Sequence, residues 1–203
     1  MKRRSTLLMV SATTVCGTLG LTASAARAGA STASTSVVNG TASPVAAKTP
    51  TTGSVPGATP ISFDISLNVR DAAGAQALAE AVSTPGSPRY RDYLTPAQWD
   101  AQYSPTSAQV TQVTTWLGQE GFQVGTVSPD RLRIDVTGTA ARVEQAFSTT
   151  LSYHLVEGRT VRLVDSNLTI PSSLTGIVSG APGLNETVAT PDVSSNSSRD
   201  TCS

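Results

Sequence analysis

A period of two that runs unbroken over ten residues constrains this chain more than any other feature. Ile61, Phe63, Ile65, Leu67 and Val69 alternate with Ser62, Asp64, Ser66, Asn68 and Arg70. Successive side chains of a strand point to opposite faces, so this spacing predicts a half-buried strand with one polar side. Such a strand belongs to a sheet that is covered on one face only.

Helical spacing follows at once. Asp71 stands in the N-cap position of an Ala-rich run, Ala72 to Val82, in which Ala75, Leu78, Ala79 and Val82 share a face. Pro85-Gly86-Ser87-Pro88 ends that helix. Thr95-Pro96 and Ser104-Pro105 each place a capping hydroxyl before a proline suited to the first turn. They predict a short helix from Pro96 to Gln102 and a longer one from Pro105 to Glu120. Val110, Val113, Trp116 and Leu117 form the apolar face of the longer helix, and Gly121 is its stop.

The period of two returns at Phe122, Val124 and Thr126, turns at Ser128-Pro129-Asp130 and resumes through Leu132, Ile134 and Val136, which reads as a hairpin. Thr139 caps a helix whose Ala140, Val143, Ala146 and Phe147 line one stripe. Leu151, Tyr153 and Leu155 then mark a strand, turned by Glu157-Gly158-Arg159 into Val161 to Val164. Strand, helices, strand, strand, helix, strand is the order of an α+β, ferredoxin-like split βαβ domain, an antiparallel sheet with helices on one face. The other face is expected to carry Asp64, Ser66, Arg133, Asp135, Ser152 and His154, a polar surface that can stay wet or receive a partner.

The flanks differ in composition. Met1-Lys2-Arg3-Arg4 precedes an uncharged, apolar run too short to span a bilayer, and small residues follow at Ala23-Ser24-Ala25 and Ala26-Arg27-Ala28. Residues 1–28 are therefore expected to be a signal peptide, the mature chain to be secreted and extracellular, and no membrane association to remain after its removal. Residues 29–58 are mostly Ala, Ser, Thr, Gly, Pro and Val with one charge, Lys48, and are expected to be a disordered linker. The folded domain is assigned to residues 59–184, and residues 185–203 to a second linker. Of the two cysteines, Cys16 leaves with the signal, so Cys202 stands alone near the end. A free thiol, a disulfide-linked dimer and a partner further along a longer precursor all fit that count.

Little catalytic chemistry is legible. Lys plus Arg and Asp plus Glu are both 14, and no basic stripe is interleaved with aromatics, which argues against nucleic acid as a partner. The single histidine, His154, has no nucleophile or acid predictable beside it. No ligand spacing suggests a metal and no phosphate-cradling glycine loop precedes a helix, so no cofactor is expected. Asp64 and Asp135 could meet on the open face as an acid pair, although aspartates on facing strands more often serve solubility. Asn39, Asn167, Asn185 and Asn196 open Asn-x-Ser/Thr sites, which matter only in a glycosylating host.

Several strings, in order, resemble the activation domain of the sedolisin family of secreted serine-carboxyl peptidases, the type found at the front of pro-kumamolisin. They are Ser87-Pro88-Arg89-Tyr90-Arg91-Asp92-Tyr93-Leu94-Thr95, Val113-Thr114-Thr115-Trp116-Leu117, Gly121-Phe122, Gly138-Thr139-Ala140 and Val143-Glu144-Gln145-Ala146-Phe147. The resemblance covers roughly Ile61 to Leu184, with Trp99 and Tyr103 where the family more often has phenylalanine. It implies a propeptide, an intramolecular chaperone and inhibitor of an acid-acting peptidase domain bound in cis or in trans. The family's Gly-Thr-Ser nucleophile motif and its catalytic Glu and Asp are not found here, so no catalytic residue carries over. In that picture the face with Asp64, Ser66, Arg133, Asp135 and His154 docks on the peptidase, the tail after Leu184 runs toward the substrate cleft, and Cys202 pairs with a region beyond the chain. A free-standing secreted inhibitor or binding module with the same fold is the alternative.

Overall fold

The computed structural model describes residues 34–186. The expected signal peptide, the first residues of the expected linker, nearly all of 185–203 and Cys202 lie outside them. The described chain is a mixed α+β body of four α-helices and nine strands in antiparallel sheets. Its strands are β1 (Thr35–Val38), β2 (Thr51–Ser54), β3 (Pro60–Leu67), β4 (Gln123–Val127), β5 (Arg133–Thr139), β6 (Leu151–Val156), β7 (Arg159–Val164), β8 (Leu168–Pro171) and β9 (Val178–Gly180). The helices are α1 (Ala72–Ser83), α2 (Pro96–Gln102), α3 (Ser107–Gln119) and α4 (Ala140–Phe147). No helix among the described residues is long and apolar enough to cross a membrane.

The strand of period two is the centre of the molecule. β3 lies between β5 and β9 in a four-stranded sheet of order β4-β5-β3-β9. Ile61, Phe63, Ile65 and Leu67 point into a core completed by Ile134 and Val136 of β5, Val113, Trp116 and Leu117 of α3, and Ala140, Val143 and Phe147 of α4. Aromatic rings meet edge to face at its heart: Phe63 with Phe122 at 5.6 Å, and Phe63 with Phe147 at 6.0 Å. A smaller cluster of Leu78, Val82 and Tyr103 seats α1, with Trp99 of α2 against it.

Most local expectations hold, with informative differences. Asp71 caps α1 by accepting from the Gly74 amide at 2.8 Å, and Thr95 caps α2 in a capping box with Gln98. The cap of α3 is Thr106 rather than Ser104, because Gln109 can answer Thr106 in a second capping box. Ser104 is buried instead, and its hydroxyl donates to Asp100. Thr139 sits at the N-cap of α4 without a side-chain cap bond, and the first amides of that helix donate to the carbonyls of Thr59 and Gly57.

Two larger expectations are corrected. Residues 34–58 were expected to be linker, yet β1 pairs with β8, β2 pairs with β6, and Val55 is buried in the main core. Short polar residues suffice there because the pairing partners already stand in the body: Thr41 and Ala42 amides donate to Asn167, and the Ser43 amide to the Val164 carbonyl. The ferredoxin-like plan needs the strand of Leu151 to Leu155 in the sheet of β3. That strand, β6, instead joins β2 and β7 in a separate three-stranded sheet, and β9 takes the place beside β3.

Candidate functional site

The uncovered face of the four-stranded sheet is built by the polar half of the alternation. β3 and β5 run in register with Ser62 opposite Thr137, Asp64 opposite Asp135 and Ser66 opposite Arg133. The two aspartates are thus direct cross-strand neighbours on one face, as close as the pleat allows. Arg133 reaches diagonally to Asp64, with Nε 3.7 Å from Oδ2, and both groups are substantially exposed, so screening by water leaves this pair little strength.

A shallow hollow of about 340 Å3 lies over this pair, lined by Ser62, Asp64, Asp135, Thr137, Pro182 and Gly183. Its rim is a close crossing. The Asp64 amide donates to the Pro182 carbonyl at 2.9 Å, and Gly183, at φ +94°, passes so near β3 that a Cβ would stand 3.2 Å from the Phe63 Cα. Glycine is needed both for that backbone conformation and for the approach. Pro182 and Gly183 were missed as site residues, although their adjacency in sequence is a turn signal.

Four of the five proposed face residues, Asp64, Ser66, Arg133 and Asp135, therefore stand together. His154 does not join them. It lies on β6, in the other sheet, and is 2% exposed. Its Nε2 meets Asp165 Oδ1 at 3.0 Å, and its Nδ1 lies 3.2 Å from the Thr49 hydroxyl and 3.3 Å from the Thr49 carbonyl. Ser152, expected on the same open face, is buried too and donates to the other oxygen of Asp165 at 2.6 Å. The reason is coverage by the 3-10 turn Ala46–Lys48 and by Thr49 after it: Ala46 packs on Val161 and Leu163, the cross-strand neighbours of His154 and Ser152, and turns this side of β6 into interior, while Leu155 on its other side is exposed.

At the far end of the β4–β5 hairpin, the hydroxyl of Ser128 donates to Asp130 at 2.5 Å and the Leu132 amide donates at 3.1 Å. These bonds, the Ser128 one foremost, hold the Asp130 carboxyl below the usual aspartate value of 3.8. Asp130 is a turn-forming residue at the head of β5, on the loop before Arg133 and Asp135 rather than on the open face.

The described body is thus mixed α+β, with a polar face left open on its four-stranded sheet. Residues 47–187 match the model of the pro-kumamolisin activation domain, and the chain belongs to that family. Over 125 residues it is 33% identical to xanthomonalisin of Xanthomonas sp. strain T-22, covering 62% of this chain and 15% of that protein. Over 120 residues it is 35% identical to sedolisin of Pseudomonas sp. strain 101, covering 59% of this chain and 20% of that protein. The matched part is thus a fifth or less of each relative's length.

Proposed function

We propose that this domain is the propeptide of a secreted, acid-acting sedolisin-type serine peptidase, serving as the intramolecular chaperone under which the peptidase folds and as the inhibitor that holds it inactive. The observation that carries this reading is an activation-domain body whose one uncovered sheet face sets Asp64 directly opposite Asp135. Like charges opposite one another on a sheet cost stability. A partner that brings a cationic group between them relieves this cost, and the contact is charge-assisted once water is excluded. The partner in this reading is the peptidase domain, in cis or supplied in trans.

The contact also has a direction with pH. Carboxylates that meet a cation must be ionised, so the interface weakens as acid protonates them, and docking favours neutral conditions. His154 does not stand on this face: it lies in the other sheet and is interior before any partner arrives. The test is the affinity of the chain for a sedolisin-family peptidase inactivated at its nucleophile, followed from pH 7 to pH 3, so that digestion cannot mimic release. Affinity should fall with pH and flatten in Asp64→Asn with Asp135→Asn. An absence of binding at neutral pH would sink the reading.

A further inference from the structure

We infer that residues Pro182–Glu186 form a strap, buckled by Arg162, that fixes the point at which the chain leaves the domain relative to the face carrying Asp64 and Asp135. The strap touches both sheets. At its start, the Pro182 carbonyl accepts from the Asp64 amide and Gly183 crosses against Phe63 of β3. In its middle, Leu184 is fully buried in the main core. At its end it lies along the outer edge of β7, where the Glu186 amide donates to the Arg162 carbonyl at 2.8 Å and the Val164 amide donates to Asn185 Oδ1 at 2.7 Å.

Arg162 closes this end with every nitrogen of its guanidinium. Nε donates to the Leu184 carbonyl at 3.1 Å, Nη2 to the Gly183 carbonyl at 3.2 Å, and Nη1 pairs with Glu186 Oε1 at 3.2 Å. The other carboxylate oxygen of Glu186 accepts from the Arg162 amide at 2.9 Å. The Arg162 side chain is only 11% exposed, so this pair is shielded from water on the arginine side, unlike the open Arg133–Asp64 pair. A lysine could not serve three acceptors in one plane. Asn185 adds a third anchor, donating to the Thr41 carbonyl of the N-terminal arm at 3.4 Å.

The consequence rests on the propeptide reading. A segment held at a fixed departure point reaches a second site at a higher effective concentration than one that swings freely. Arg162 is then a positioning residue for the tail and takes no part in the docking face. In full-length chain, Arg162→Gln should raise amide hydrogen exchange at Glu186 and Val164 at least tenfold while the amides of β3 and β5 stay protected. Glu186→Gln, which keeps the backbone bonds, should act in the same direction but less. Against a sedolisin-family peptidase, Arg162→Gln should weaken inhibition about tenfold.

Unchanged exchange at Glu186 and Val164 in both variants would overturn the strap. Faster exchange with undiminished inhibition would overturn its positioning role. Should the wild-type chain itself fail to inhibit, the propeptide reading fails, and the exchange result alone decides whether Arg162 buckles the segment. If Arg162→Gln does not fold, Arg162→Lys and Glu186→Gln decide by the same exchange measurement.

Discussion

Asp64 and Asp135 face each other across the β3–β5 ladder, two carboxylates in direct register on the one side of the sheet that no helix covers. Opposed like charges are unfavourable by a few tenths to about 1 kcal/mol. Asp135→Thr should therefore raise the stability of the isolated domain slightly, by roughly 0.2–1 kcal/mol in denaturant unfolding. The same substitution should weaken peptidase binding. A gain in one with a loss in the other marks a residue kept for docking, whereas a loss in both would mean that Asp135 is structural.

Trp116 anchors α3. Its ring meets Phe147 edge to face at 5.3 Å, it is 8% exposed, and its indole N–H donates to Glu120 at 3.2 Å. Trp116→Ala should cost about 3–5 kcal/mol by chemical denaturation, since a close-packed core refills the place of a lost ring only in part. A cost below about 1 kcal/mol would mean that the ring's burial contributes nothing the surroundings cannot replace.

Asp64, Asp135 and Trp116 all stand in elements whose faces are legible in the sequence. The face of β3, the stripe of α3 and the hairpin of β4 and β5 are set by periodicity within a few residues, and that information is local. Capping is local too: Thr95-x-x-Gln98 and Thr106-x-x-Gln109 share one signature, and reading it would have moved the start of α3 from Pro105 to its observed place. His154 is the opposite case. Its burial depends on Thr49 and the 3-10 turn before it, about a hundred residues earlier, in a stretch whose composition resembles linker. β9 is three residues long and owes its strand geometry to pairing with β3, so nothing in its own spacing announces it. Half of the site was legible for the same reason: alternation gives the face of Asp64 and Asp135, but only tertiary structure brings Pro182 and Gly183 to its rim.

Gly138 marks a tight point in that periodic core. A Cβ there would fall 2.5 Å from the Cδ1 of Phe122, a ring already packed against Phe63 and Phe147. Gly138→Ala should destabilise by roughly 1–3 kcal/mol through overpacking, and the same change with Phe122→Leu should cost less than the sum of the two alone. Additive costs in such a double-mutant cycle would mean that the ring and the new methyl do not meet.

Asp130 supplies a pH dependence with a definite sign. The bond from Ser128 and the Leu132 amide hold its carboxyl below the usual aspartate value of 3.8 in the folded state. A depressed folded value means stability that is fully present above the unfolded value and is lost as pH falls through the folded one. The difference in stability between the wild type and Asp130→Asn should thus be constant from pH 7 to about 5 and shrink below the ordinary aspartate range of roughly 4. A difference that grows on acidification would contradict the bond pattern at this turn.

The N-terminal arm offers the sharpest test of the fold, because its composition and its structure disagree. Deleting residues 34–58 removes β1 and β2 and the buried side chains of Val55 and Ala46, which together represent about 2–3 kcal/mol of apolar burial. It also strands hydrogen-bonding groups. The Leu151 and Val164 carbonyls lose the amides of Val55 and Ser43, the first turn of α4 loses the Gly57 carbonyl, and Asn167 loses the amides of Thr41 and Ala42. On β6, His154 loses both contacts to Thr49 while keeping Asp165. Water can replace some of these partners, so the net loss should be on the order of 3–6 kcal/mol, partly offset by the ordering entropy that the arm no longer costs. For a domain of this size that corresponds to a fall in Tm of roughly 10 °C or more. The deletion should act first on the β6–β7 sheet, seen as faster amide exchange at Ser152 to Leu155 than in β3 and β5. A deleted chain that melts within about 2 °C of the full one would show that residues 34–58 only lie against the body, as their composition suggests, and contribute nothing to holding it together.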